Sequence, residues 1–150
     1  MGNYLIRSSL LLLICCPAIG WSVESIGQIQ TLQGSATVVR STLNLPAKVG
    51  LPLQRGDMVR TAKPGAVGII LADDTTISLG PNSELALNDY QFAPKEGKFS
   101  LVARMAKGTF VYLSGLIGKL APQAVQLLIP DATIAVRGTK LLVEVQEQGP

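Results

Sequence analysis

Few residues of this chain could do chemistry, and they lie apart. Arg137-Gly138-Thr139 sets an arginine beside a glycine turn. A guanidinium there could hold a carboxylate or sugar hydroxyls in a fixed fork geometry. It could equally pair with an internal carboxylate, Asp57, Asp73 or Asp131, and lock the turn, with Gly138 present for its permissive backbone. Asp73-Asp74-Thr75-Thr76 clusters oxygens as a calcium loop does, without the alternating acidic spacing such a loop needs. The same two carboxylates could serve glycoside hydrolysis only by facing each other across a cleft. Adjacent residues in a turn point apart, so Asp73 and Asp74 read as a structural turn, and Gly56-Asp57 as another. Tyr90 and Phe92 fall in a polar stretch and are the candidates for an exposed aromatic patch that stacks on sugar rings. Phe110 and Tyr112 share one strand face and are expected in the core. Ser114-Gly115 lacks the flanking glycine of a nucleophile elbow.

Composition narrows the chemistry further. The chain has no histidine, which excludes a Ser-His-Asp or Cys-His nucleophile system. Its two cysteines, Cys15 and Cys16, are both near the N-terminus. Without them neither a Cys/His zinc site nor a disulfide framework can form. No catalytic, cofactor or metal site is therefore expected. The charges are scattered, with no basic block of the kind that follows phosphates, so nucleic acid and anionic membrane are not expected partners.

The N-terminus reads as a targeting segment. Arg7 precedes an apolar run over Leu10 to Ile14, and Ala18-Ile19-Gly20 supplies small residues at the positions a signal peptidase reads. Cleavage is expected after Gly20. Pro17 interrupts the run at about half the roughly 20 apolar residues a membrane span needs, so no stable span is expected. Leu13-Ile14-Cys15-Cys16 is a second reading, a lipoprotein box with Cys16 lipidated, in which Cys15 fits poorly. The expected organisation is a signal peptide over 1–20, a lead-in over 21–33, a β domain over 34–145 and a tail over 146–150. Loss of the leader leaves twelve basic and ten acidic side chains, net +2, and about 130 residues, enough for one self-supporting core.

The elements that would position these residues are strands. Around Arg137, Ile134 and Val136 alternate with polar or small residues, Gly138 breaks the run, and Leu141, Val143 and Val145 resume it. Upstream, short strands are expected on either side of Gly34, over Met58 to Thr61, and over Ala66 to Ala72, the last buried on both faces. Others are expected over Thr76 to Leu79, at Leu85 and Leu87, over Phe99 to Ala103, over Thr109 to Leu113 and over Val125 to Ile129. Leu43 to Leu53 and Asn88 to Gly97 read as loops. Leu116, Ile117 and Leu120 stand at the spacing of one helical turn. Nine or ten strands with turn signals every eight to twelve residues argue an all-β domain. Ala66 to Asp73 echoes Ala124 to Asp131, each followed by a threonine-containing strand, as a duplicated half-domain would.

Four segments, in order, resemble the FecR domain. LQRGDMVRT (Leu53 to Thr61) is similar to a G-D-x-V-x-T element. AVGIILADDTTISLGPNSELAL (Ala66 to Leu87) is similar to an element with D-G-T between two apolar strands. KGTFVYLSGLIGKLAPQAV (Lys107 to Val125) is similar to a G-x-F-x-x-x-S-G stretch, and ATIAVRGT (Ala132 to Thr139) to the closing signature. Two positions depart from the pattern: Asp74 and Ala135 stand where the family commonly has glycine. Asp tolerates a left-handed backbone better than most residues.

The resemblance implies a short-strand β-solenoid or β-roll, with a β-sandwich as the alternative. It also implies an exported place, in the periplasm or outside the cell. The founding members sense an outer-membrane receptor and control a sigma factor through parts for which this chain has no room, so a stand-alone exported domain is expected. The expected function is a non-enzymatic interaction module, a scaffold or signal-sensing accessory that binds an envelope protein, with Arg137, Gly138 and Thr139 as candidate contacts. A glycan- or peptidoglycan-binding module using Tyr90 and Phe92 is the alternative.

Overall fold

The computed structural model describes Pro17, Gly20 and residues 22–147. The expected leader, with Cys15 and Cys16, otherwise lies outside the described residues, as does the end of the tail.

The described chain is all-β. Ten strands join in one sheet: β1 (Gly27–Arg40), β2 (Leu43–Pro46), β3 (Pro52–Leu53), β4 (Met58–Leu71), β5 (Thr76–Leu79), β6 (Glu84–Ala93), β7 (Lys98–Leu113), β8 (Val125–Ile129), β9 (Ala132–Ala135) and β10 (Lys140–Val145). One helical turn, α1 (Leu116–Leu120), follows β7. Among the described residues the pairings are antiparallel except β7 with β8.

Three strands are far longer than the short pieces expected. β1 and β4 each run 14 residues and β7 runs 16. Gly34 and Gly108 are irregularities inside continuous strands. β1 passes through Gly34, where its register against β4 shifts. The Lys63-Pro64-Gly65 stretch, expected to end a strand, lies opposite that shift, where a proline's missing N–H breaks no ladder. Gly108 carries β7 through with φ +101°, and a side chain there would overlap Ser83. Of the expected lead-in, residues 27–33 form the first half of β1.

The long strands splice two sets of pairings. The N-terminal half of β4 pairs with β6, and its C-terminal half with β5. β7 repeats the arrangement: its first half joins β6 and β8, its second half β5 and β10. Between them sits one apolar core, in which Ile29, Ile69, Ile77, Leu101, Phe110 and Tyr112 are fully buried.

Two expected loops are strands. Leu43 to Leu53 contains β2 and β3. Residues 88–93, read as an exposed polar loop, belong to β6. A register shift lies between Leu87 and Asp89. It resets the alternation, so Leu85 and Leu87 point inward and Tyr90 follows three positions later, which hides the period in the sequence. The two echoing segments each open an antiparallel pair, β4 with β5 and β8 with β9.

Candidate functional site

Asp73 is the point where three elements are tied. It lies in the turn between β4 and β5 with no accessible surface. Its carboxylate Oδ2 accepts from Thr75 Oγ1 at 2.7 Å and from the Ile117 backbone N–H at 3.1 Å. Its Oδ1 accepts from the Tyr90 hydroxyl at 3.0 Å and the Thr75 N–H at 3.3 Å. The Asp-x-Thr pattern makes such a side-chain turn locally, because a short carboxylate reaches the N–H two residues on. Tyr90 arrives from β6, and its oxygen also accepts the Asp73 N–H at 2.8 Å.

The same turn receives α1. The Leu116 N–H bonds to the Asp73 carbonyl at 2.7 Å, and the Gly115 N–H to Thr75 Oγ1 at 3.2 Å. No side chain at Gly115 caps α1, so Asp73 satisfies its free N–H groups from across the fold. A side chain at Gly115 would overlap the backbone of the turn at Asp73 and Thr75.

Burial, and then Asp73, push the Tyr90 hydroxyl pKa far up. Burial raises the Tyr112 hydroxyl too, with Ser114 and Thr75 beside it pulling the other way. Those neighbours do not reach good bonding geometry, and the Tyr112 oxygen is buried without a hydrogen bond. Asp74 is exposed and holds φ +65°. One carboxylate is sealed in protein and its neighbour is in solvent, so the two share no cleft in which acid–base chemistry could run.

Gly56 and Asp57 form a second tied turn. Gly56 has φ +88°, and Asp57 is buried. Arg40 at the end of β1 grips its carboxylate with both arms, Nε at 2.9 Å and Nη2 at 2.7 Å, while the Gln54 N–H adds 2.9 Å. Hydrogen bonding to Asp57 raises the Arg40 pKa above its ordinary value.

The remaining candidates are placed as follows. Tyr90 is not on an exposed loop; it is buried in β6, with its hydroxyl committed to Asp73. Phe92 is half-buried and faces Phe99 across the β6–β7 pair, ring centroids 6.2 Å apart. A cleft of about 540 Å³ opens beside them, between residues 23–26, Arg55 and the Gln91 end of β6. Arg137, Gly138 and Thr139 form an exposed loop joining β9 to β10. Those strands do not pair with each other: β9 lies on β8 and β10 on β7. Asp57 and Asp73 are engaged elsewhere, so neither locks Arg137. Among the described arginines, Arg40, Arg55 and Arg60 hold carboxylates, whereas Arg104 and Arg137 do not.

Two members of these ties were missed by sequence reasoning. Arg40 carries no local signal, because its partner is 17 residues on. Thr75 could have been found from the Asp-x-Thr spacing. Among the described residues no group of three or more Asp, Glu, His or Cys converges as a metal site would.

The Asp73 tie lies wholly within one stretch that known proteins share, and that stretch begins at Asp57. The family model described as FecR protein matches residues 57–150. The chain belongs to the FecR family. Asp74, one of the two departures from the FecR pattern noted in the sequence, holds a left-handed backbone at φ +65°, a conformation Asp tolerates better than most residues. The FecR match opens at Asp57, yet the sheet begins 30 residues earlier at Gly27, because β1 pairs along the length of β4. A solved structure titled "Cell surface anchoring domain" is 34% identical to this FecR chain, over 41% of this chain and 82% of that one, with a TM-score of 0.39. No curated protein matches the chain.

Proposed function

We propose that this FecR chain is a non-enzymatic module of the cell envelope that binds a protein partner, as a scaffold or signal-sensing accessory. The loop Arg137-Gly138-Thr139 is its contact surface. The observation that carries the reading is Arg137 in an exposed loop beside Gly138, without a hydrogen bond or ion pair among the described residues, a state shared among the described arginines only with Arg104, which lies within β7. An unpaired guanidinium keeps its full fork of donors for a carboxylate on a partner. Chemistry of its own is disfavoured, since the buried carboxylates are consumed by ties that hold the fold. Export through the leader over 1–20, with release after Gly20 or lipidation at Cys16, would put the module in the periplasm or outside the cell. No helix among the described residues is long and apolar enough to cross a membrane.

The test is a photo-crosslinking residue at Thr139 in living cells. The expected result is an adduct with one envelope protein at near-stoichiometric yield, lost in an Arg137→Ala variant of unchanged thermal stability. Adducts that persist in Arg137→Ala would overturn the role of that side chain. A second reading, glycan binding, is favoured by the cleft beside Phe92. Retention of the wild-type protein on purified cell wall, lost in Phe92→Ala, would select it.

A further inference from the structure

β10 is an edge strand. One side of it pairs with β7, and among the described residues no strand pairs with the other. The Ser114 N–H bonds to the Thr139 carbonyl at 2.8 Å, and these two residues stand opposite each other in the β7–β10 register. In an antiparallel ladder the bonding direction alternates with each residue. Leu141, Val143 and Val145 therefore bond toward β7, and Lys140, Leu142 and Glu144 present their N–H and C=O groups to the open edge.

The side chains of those same three residues are exposed on the outer sheet face. Leu142 is 67% exposed and sits at the middle of the edge. It stands opposite Val111 on β7, and Lys140 opposite the exposed Leu113. Neither Lys140 nor Glu144 makes an ion pair among the described residues. An apolar, unpaired edge is a template for another strand.

From this geometry we infer that the edge takes a second copy of the same strand, so that the protein dimerises through β10 and the two sheets become continuous. A two-fold axis at Leu142 sets Leu142 against its own copy. It sets Lys140 of each protomer against Glu144 of the other, and Leu141 against Val143. Each pair made by Lys140, Leu142 and Glu144 exchanges both backbone hydrogen bonds, and the charges are complementary at both ends. The two Leu142 side chains, with Val111 and Leu113 alongside, close over the axis. Self-complementarity of this kind is what a two-fold interface demands.

The test is sedimentation of the processed chain, wild type and variant. The wild type is expected to be a dimer. Lys140→Glu and Glu144→Lys each place like charges together twice, and each is expected to weaken the dimer on the order of tenfold or more. An equimolar mixture of those two variants is expected to restore association, because each then meets the opposite charge. The Lys140→Glu/Glu144→Lys double variant is expected to dimerise like wild type. Leu142→Arg is expected to be monomeric. All three positions are solvent-facing, and unchanged thermal melts would show that folding is unaffected. A monomeric wild type overturns the inference. So does a dimer indifferent to Leu142→Arg, or single variants that fail to rescue each other.

Discussion

Replacing Asp73 by asparagine keeps the size of the side chain and changes one acceptor into a donor. The change can be worked through from the bonds. If the amide nitrogen takes the place of Oδ1, it faces the Thr75 N–H and the Tyr90 hydroxyl. If it takes the place of Oδ2, it faces the Ile117 N–H and Thr75 Oγ1. Hydroxyls can rotate to accept, but a backbone N–H cannot. Either orientation strands one buried N–H against another donor, at about 1–3 kcal/mol, and forfeits a charge-assisted bond of comparable size. The expected loss is about 3 kcal/mol, out of a total of about 5–15 kcal/mol for a domain. At this chain length that is a fall in Tm of roughly 10 °C. Urea denaturation followed by circular dichroism checks it, with the midpoint lowered and the slope unchanged. Tyr90→Phe orphans the Asp73 N–H and is expected to cost about 2 kcal/mol. Because the two residues share a bond, the double variant should lose less than the sum of the singles. An Asp73→Asn protein within about 0.5 kcal/mol of wild type would refute the account of this turn as a buried tie.

Further outcomes follow from the same geometry. Arg40→Ala leaves Asp57 buried with the Gln54 N–H alone, and is expected to lower stability by about 3 kcal/mol in the same urea assay. Gly115→Ala drives a methyl group into the backbone at Asp73 and Thr75. It should displace α1 and destabilise by more than 2 kcal/mol, whereas Gly97→Ala, with open space around it, should show only the smaller cost of its left-handed backbone. In an absorbance titration of residues 21–150, Tyr90 and Tyr112 should give no phenolate signal until the protein unfolds. Their folded pKa values are raised. The stability they contribute is full below the unfolded phenol value near 10 and declines as pH rises above it; ionisation in the folded state would contradict the burial of both hydroxyls.

The all-β class was legible because alternation survives wherever register is regular. Thr76 to Leu79 and Val125 to Ile129 match their strands residue for residue. Strand length was not legible, because a glycine in a bulge and a glycine in a turn look the same in sequence. Gly34 suggests a turn between two short strands, and Gly108 falls in the gap between two expected strands, yet both are bends within continuous strands. The Tyr90 reading failed for a related reason. Asn88, Asp89 and Gln91 are polar because they face outward from β6, and the register shift beside Leu87 masks the inward phase of Tyr90. Asp73 was visible as a turn residue. Its part in holding α1 was not, since Ile117 is 44 positions away. Arg137 was visible through its motif, but only tertiary structure reveals that Asp57 and Asp73 are occupied by other partners.

The splicing of pairings by β4 and β7 has a mechanical consequence. Each strand is a splint laid across both halves of the sheet, so neither half can separate without peeling a strand that the other half also grips. Fraying is expected at the short outer strands β2, β3 and β9 and at the edge strand β10, while the remaining strands open as one cooperative unit. Such a frame offers proteases few partly open states to cut.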